Sequence, residues 1–157
     1  DMATVYGVNF TKYDQNVPRE MVNVAENGGR FRVQYDTYEA SALEAGSTIS
    51  VARIPKGARI WDAFIIADAL GSGHTLSLGD SDDVDRFITA TLFNTANKMV
   101  SISPRPTGTA NAASTAASGT GIDAIGYEYT SETDIIITTA SAAVTGTIKT
   151  AVFYSVD

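Results

Sequence analysis

Cysteine is absent from the 157-residue chain, and histidine occurs once, as His74. The first absence excludes a disulfide framework and Cys-ligated zinc, and it suits assembly in a reducing cytoplasm. The second leaves most nucleophile–base pairs and metal clusters without material. No apolar run reaches the ~18 residues that would suggest a membrane span, and no basic segment precedes an apolar stretch at the N-terminus. A soluble, unsecreted protein with no membrane partner is therefore expected. Basic residues are in deficit, 11 against 18 acidic ones, for a net charge of −7. That sign repels a phosphate backbone, so nucleic acid is not an expected partner. Asp1 before Met2 reads as an appended or numbering residue, with Met2 the expected native start.

What the chain does have is strand pattern. Its length fits one domain, which buries roughly 68–70% of its unfolded surface. Phe31, Val33, Tyr35 and Thr37 alternate with Arg30, Arg32, Gln34 and Asp36, a period-2 pattern that predicts a strand with one buried face. Further strands are expected around Ile49 and Val51, over 58–69, Thr75–Leu78, Phe87–Phe93, Met99–Ser103, Ile122–Tyr129, Asp134–Thr139 and Thr147–Val156. Ile54-Pro-Lys-Gly57 suits a type I turn and a hairpin-like reversal. Residues 58–69 are apolar on both faces, which predicts a central strand, with Trp61, Ala63, Ile65 and Ala67 sharing one face and Trp61 in the core. About nine short strands without a helical stretch give an all-β, single-domain sandwich, with a jelly roll the preferred form.

Two segments stand apart. Residues 2–29 carry apolar residues broken by Gly and Pro, and read as an extended N-terminal arm ahead of a body at 30–157. Val5, Tyr6, Val8, Phe10 and Tyr13 of this arm are the expected contact residues with a neighbouring subunit, because apolar side chains at this density need a surface to cover; a plain first strand packed on its own domain is the other reading. Residues 104–120, rich in Ala, Thr, Ser and Gly, predict a flexible loop.

Reactive chemistry is thin. Asp80, Asp82, Asp83 and Asp85 fall within six residues, a set that hard cations favour. Counted from Asp80, the Gly and Glu that an EF-hand requires are Asp85 and Thr91, so that motif fails. The expected reading is a turn whose carboxylates accept backbone N–H bonds and pair with Arg86. His74 reads as a turn histidine with no nucleophile elbow nearby. Glu39, Glu44, Glu128 and Glu132 could supply a glycosidase pair, and Trp61 with Tyr35, Tyr38, Tyr127 and Tyr129 a sugar-stacking platform, but neither set has a motif. No enzyme activity, metal or cofactor is expected.

Several strings resemble small proteins encoded among the structural genes of tailed bacteriophages: Met2-Ala-Thr-Val-Tyr-Gly-Val-Asn9, Asp36-Thr-Tyr-Glu-Ala40, Ile54-Pro-Lys-Gly-Ala58, Asp68-Ala-Leu-Gly71, Leu78-Gly-Asp-Ser-Asp-Asp-Val-Asp-Arg86, and Thr145-Gly-Thr-Ile148 running to Tyr154-Ser-Val-Asp157. The resemblance implies a cement or decoration protein on the outer capsid surface, with a jelly-roll-like body and no catalytic residues. Its implied partners are the major capsid protein and further copies of itself, a homotrimer before a dimer, assembled in the host cytoplasm. A tail or baseplate protein, and a carbohydrate- or receptor-binding module, are the alternatives.

Overall fold

A computed structural model describes residues 24–102 and 124–156, together with Val5, Lys12, Met21 and Val22. Nine strands follow in order: β1 (Arg30–Leu43), β2 (Thr48–Ile54), β3 (Arg59–Ala67), β4 (Thr75–Gly79), β5 (Ile88–Thr91), β6 (Lys98–Ser101), β7 (Tyr127–Glu128), β8 (Thr133–Ala140) and β9 (Val144–Val156). The expected all-β architecture is present. The period-2 alternation of the sequence finds its cause in the sheets: β8 buries Ile135, Ile137 and Thr139 and turns the residues between them outward.

One sheet runs β1-β9-β3-β6, with the short β7 also on β3; the other runs β2-β8-β4-β5. Strand pairing is nested. β1 pairs β9, β2 pairs β8, β3 pairs β6 and β4 pairs β5, all antiparallel. A long ribbon paired in this way and rolled, closed by the β3–β9 and β4–β8 seams, is the jelly-roll strand order. Between the sheets lie Ile54, Ile60, Ile65, Leu76, Leu78 and Phe93, all fully buried. Burying branched and aromatic side chains of this kind is worth roughly 1.5–3 kcal/mol each, and it drives the closure of the two layers.

The turn at 54–57 differs from its expected form. Ala58 N–H donates to Pro55 O at 3.3 Å, and Gly57 at φ 85° occupies the third position, where a positive φ calls for glycine. The strands it joins lie in different sheets, so the segment is a crossover and not a hairpin.

Residue Trp61 also departs from expectation. The register between β3 and β9 shifts between Ile60 and Asp62, a bulge that takes Trp61 out of phase with Ala63, Ile65 and Ala67. Those three stay buried, whereas Trp61 is half-buried on the outer face, its Nε1–H donating to Ser155 Oγ at 2.6 Å. The expected central position of this strand is confirmed, since β9 and β6 flank it.

Candidate binding surface

Among the described residues, the outer face of the first sheet exposes large apolar side chains. Phe31, Val33 and Tyr35 of β1 are 66%, 54% and 59% exposed, although their alternation predicts burial. Their pairing explains the outcome. Val33 is opposite Phe153 and Tyr35 is opposite Ala151, and residues opposite each other in an antiparallel pair share a face. On β9 the core side is held by Ile148, Thr150, Val152 and Tyr154, leaving Phe153 to the outside with its β1 neighbours. Phe153 then sits between Phe31 (centroids 5.8 Å apart, stacked) and Phe64 of β3 (6.1 Å), forming an aromatic row across three strands. An exposed aromatic row on a sheet face is a candidate interaction surface.

Glutamine 34, on the opposite face of β1, fixes the strand in place. Its amide donates to Arg53 O at 2.6 Å and to Tyr154 Oη at 3.1 Å, and its Oε1 accepts from Arg53 N–H at 2.9 Å. Arg53 belongs to β2, the edge of the second sheet. A side-chain amide thus takes the place of a neighbouring strand and ties the two sheet edges together.

The acidic turn is structural, as expected, though only one of its carboxylates is central. Asp80 is 1% exposed. Its Oδ1 accepts the N–H groups of Asp82 (3.0 Å) and Asp83 (2.9 Å), while Oδ2 accepts Arg86 Nε–H and the Tyr129 hydroxyl, each at 2.7 Å. Burial alone would push this carboxyl up, but bonds from Arg86, Tyr129 and the Asp83 N–H outweigh it and hold Asp80 below the usual range. Arg86 lies over the Tyr127 ring, 4.3 Å from its centroid. At Gly79 a Cβ would meet Asp83 O at 2.1 Å, so the turn closes only on glycine. Among the described residues no group of His, Asp and Glu is arranged to hold a metal ion.

The remaining candidates disperse. His74 lies at the bend before β4, as expected, and is fully buried there, its Nε2 accepting Phe93 N–H at 3.1 Å. Its Nδ1 is buried without a hydrogen-bond partner, and burial lowers its pKa. Glu128 pairs with Arg59 at 2.8 Å, Glu132 lies 3.9 Å from Arg53, and Glu39 accepts from the Thr147 hydroxyl, so these three glutamates answer to separate partners. The sugar platform loses Tyr129, which is buried, and Tyr127, which packs against the core. Of the arm residues, Val5 is 86% exposed; Tyr6, Val8, Phe10 and Tyr13, like the loop 104–120, lie outside the described residues.

No protein-family model matches the sequence, and no curated protein does. Solved structures do match. A chain in the capsid asymmetric unit of cyanophage Pam1 is 18% identical, with a TM-score of 0.63 over 91% of this chain and 97% of that one. A chain in the capsid of Ralstonia phage GP4, also 18% identical, has a TM-score of 0.56 over 88% of this chain and 92% of that one. A third, in an acidic stable capsid structure of Helicobacter pylori bacteriophage KHP30, is 12% identical with a TM-score of 0.51, over 80% and 87% respectively. Coverage is high in both directions, so the matched chains are of about this length. The jelly-roll sandwich of this chain is thus a fold found in the capsid structures of three bacteriophages.

Proposed function

We propose that the chain is a structural virion protein that binds the outer surface of a phage capsid and stabilises the shell by bridging subunits of the major capsid protein. The observation that carries this reading is the match, over nearly the full length of both partners, to chains in phage capsids. Two further features support it. The aromatic row Phe64–Phe153–Phe31 gives the sandwich an apolar docking face. The net charge of −7 disfavours a place inside the shell against packaged DNA and favours the exterior.

The proposed action needs no chemistry. A protein that binds the assembled shell and not its separated subunits stabilises the shell by mass action. A homo-oligomer does so more effectively, because the second contact becomes intramolecular once the first has formed. The protein is accordingly proposed to be no enzyme, to assemble in the host cytoplasm and to reside in the virion. Its buried histidine and its internally engaged Asp80 fit that role. Co-sedimentation of the purified chain with heads that lack it tests the proposal. Saturable binding that raises the temperature at which heads rupture is expected; no association with intact heads would overturn it.

A further inference from the structure

Among the described residues four edges bound the two sheets, at β1, at β6 with the two-residue β7, at β2 and at β5. Exposed edges recruit other strands unless they are shortened, bulged or covered. β5 and β6 each have four residues. β2 has seven, carries a bulge between Ser50 and Ala52, and is capped by Gln34. β1 is different. It is 14 residues long, its pairing with β9 is regular from Arg30 to Ala40, and among the described residues it pairs with no other strand. Over residues 30–39 all but Gln34 are exposed, and among the described residues no strand lies along the edge.

We infer that this edge is the interface with a second copy of the chain, two β1 strands pairing antiparallel about a two-fold axis at Val33 and joining the two first sheets into one.

Backbone direction comes first. Asp68 N–H donates to Thr147 O, so the odd-numbered residues of β9 turn their backbone groups toward β3 and the even-numbered ones toward β1. The pairs Arg32–Tyr154 and Gln34–Val152 are then the hydrogen-bonded ones, and Phe31, Val33 and Tyr35 direct their N–H and C=O groups to the free edge. Thr37 N–H, which faces the same way, is satisfied by Asp36 Oδ1 at 2.8 Å and marks where the open ladder ends.

The side chains are self-complementary about Val33. In an antiparallel copy centred there, Val33 meets Val33, Phe31 meets Tyr35, and Arg30 meets Asp36. The first two pairings continue the aromatic row into the second copy, on the face where Phe31 already stacks on Phe153. The third places opposite charges against each other twice on the other face, where cross-strand ion pairs form. A centre at Gln34 would also bring an arginine, Arg32, against Asp36, but it would set Phe31 against Thr37, whose N–H is already bonded. The Val33 centre uses the open backbone groups and leaves that bond intact. Charges that would protect a solitary edge are here arranged to accept a copy of themselves. This pairing favours a dimer over a trimer, and it stands whether or not the chain binds a capsid.

Sedimentation equilibrium of the full chain should give twice the 16.6 kDa chain mass. Arg30→Asp and Asp36→Arg should each raise the dissociation constant at least tenfold with little change in melting temperature, and the double variant should restore the dimer. The cysteine-free sequence allows a second measurement: Val33→Cys should be joined to its copy in high yield by a short bismaleimide, and Ser50→Cys should not. A monomer or trimer in the wild type, a double variant no tighter than the single ones, or no cross-link at position 33 would each overturn the inference.

Discussion

The Tyr129 hydroxyl donates to Asp80 Oδ2 at 2.7 Å, joining the segment after β7 to the turn after β4 across 49 positions of sequence. Tyr129 itself has its pKa raised, by burial first and then by this bond, which favours the protonated, donating form. Phe87, Tyr127 and Tyr129 surround the contact, with the two tyrosine rings 5.0 Å apart and edge-on. Tyr129→Phe removes one bond to a buried charge and should cost ~1.5–3 kcal/mol. Asp80→Ala, which strands Arg86 as well, should cost ~3–5 kcal/mol. Urea unfolding of both variants checks the order; equal, negligible losses would contradict the staple.

Acid should weaken the fold over two successive pH windows. The folded-state pKa of His74 is lowered by burial, so the stability tied to its neutral form is complete above its unfolded value of ~6.5 and declines as pH falls below it. Asp80 is also lowered, and its contribution, complete above ~3.9, is lost at lower pH. Urea midpoints measured between pH 8 and pH 5 should fall in the wild type and stay flatter in His74→Asn. An identical slope in the two proteins would remove His74 from the account.

Trp61→Phe should be mild. The ring is half-buried and the variant chiefly loses the bond to Ser155, about 1 kcal/mol. Phe93→Ala, at a fully buried site, should cost ~3–5 kcal/mol. Tryptophan emission should report a partly accessible ring, quenched by acrylamide to an intermediate degree. A Trp61→Phe loss as large as that of Phe93→Ala would return the tryptophan to the core.

The strands were legible because alternation and turn residues are local signals, and β3, β8 and β9 lie where the pattern puts them. The nested pairing was reachable only as a preference, since pairing is decided between segments far apart in sequence, such as β1 and β9. Two local signals misled. Alternation over 30–37 reports side chains that require cover but not what supplies it, and the sandwich leaves Phe31, Val33 and Tyr35 uncovered. The bulge beside Trp61 has no signature in Ile60-Trp61-Asp62, and a single extra residue reverses the face. The role of Asp80 was half visible: Arg86 is close in sequence, whereas Tyr129 comes from the far side of the chain.

Gln34→Ala should loosen the junction between the two sheet edges, costing about 1 kcal/mol, because Arg53 N–H and O would turn to water. Hydrogen exchange should quicken at Arg53 in this variant while the amides of β3 and β8 stay protected. Unchanged exchange at Arg53 would show that the two edges hold together without the glutamine.

A cryo-EM reconstruction of the particle that carries this chain tests the central claim most directly. The account expects the sandwich on the outer surface of the shell, its density touching more than one subunit of the major capsid protein. Density for the chain confined to the tail or to the shell interior, or a complete capsid without it, would contradict that claim.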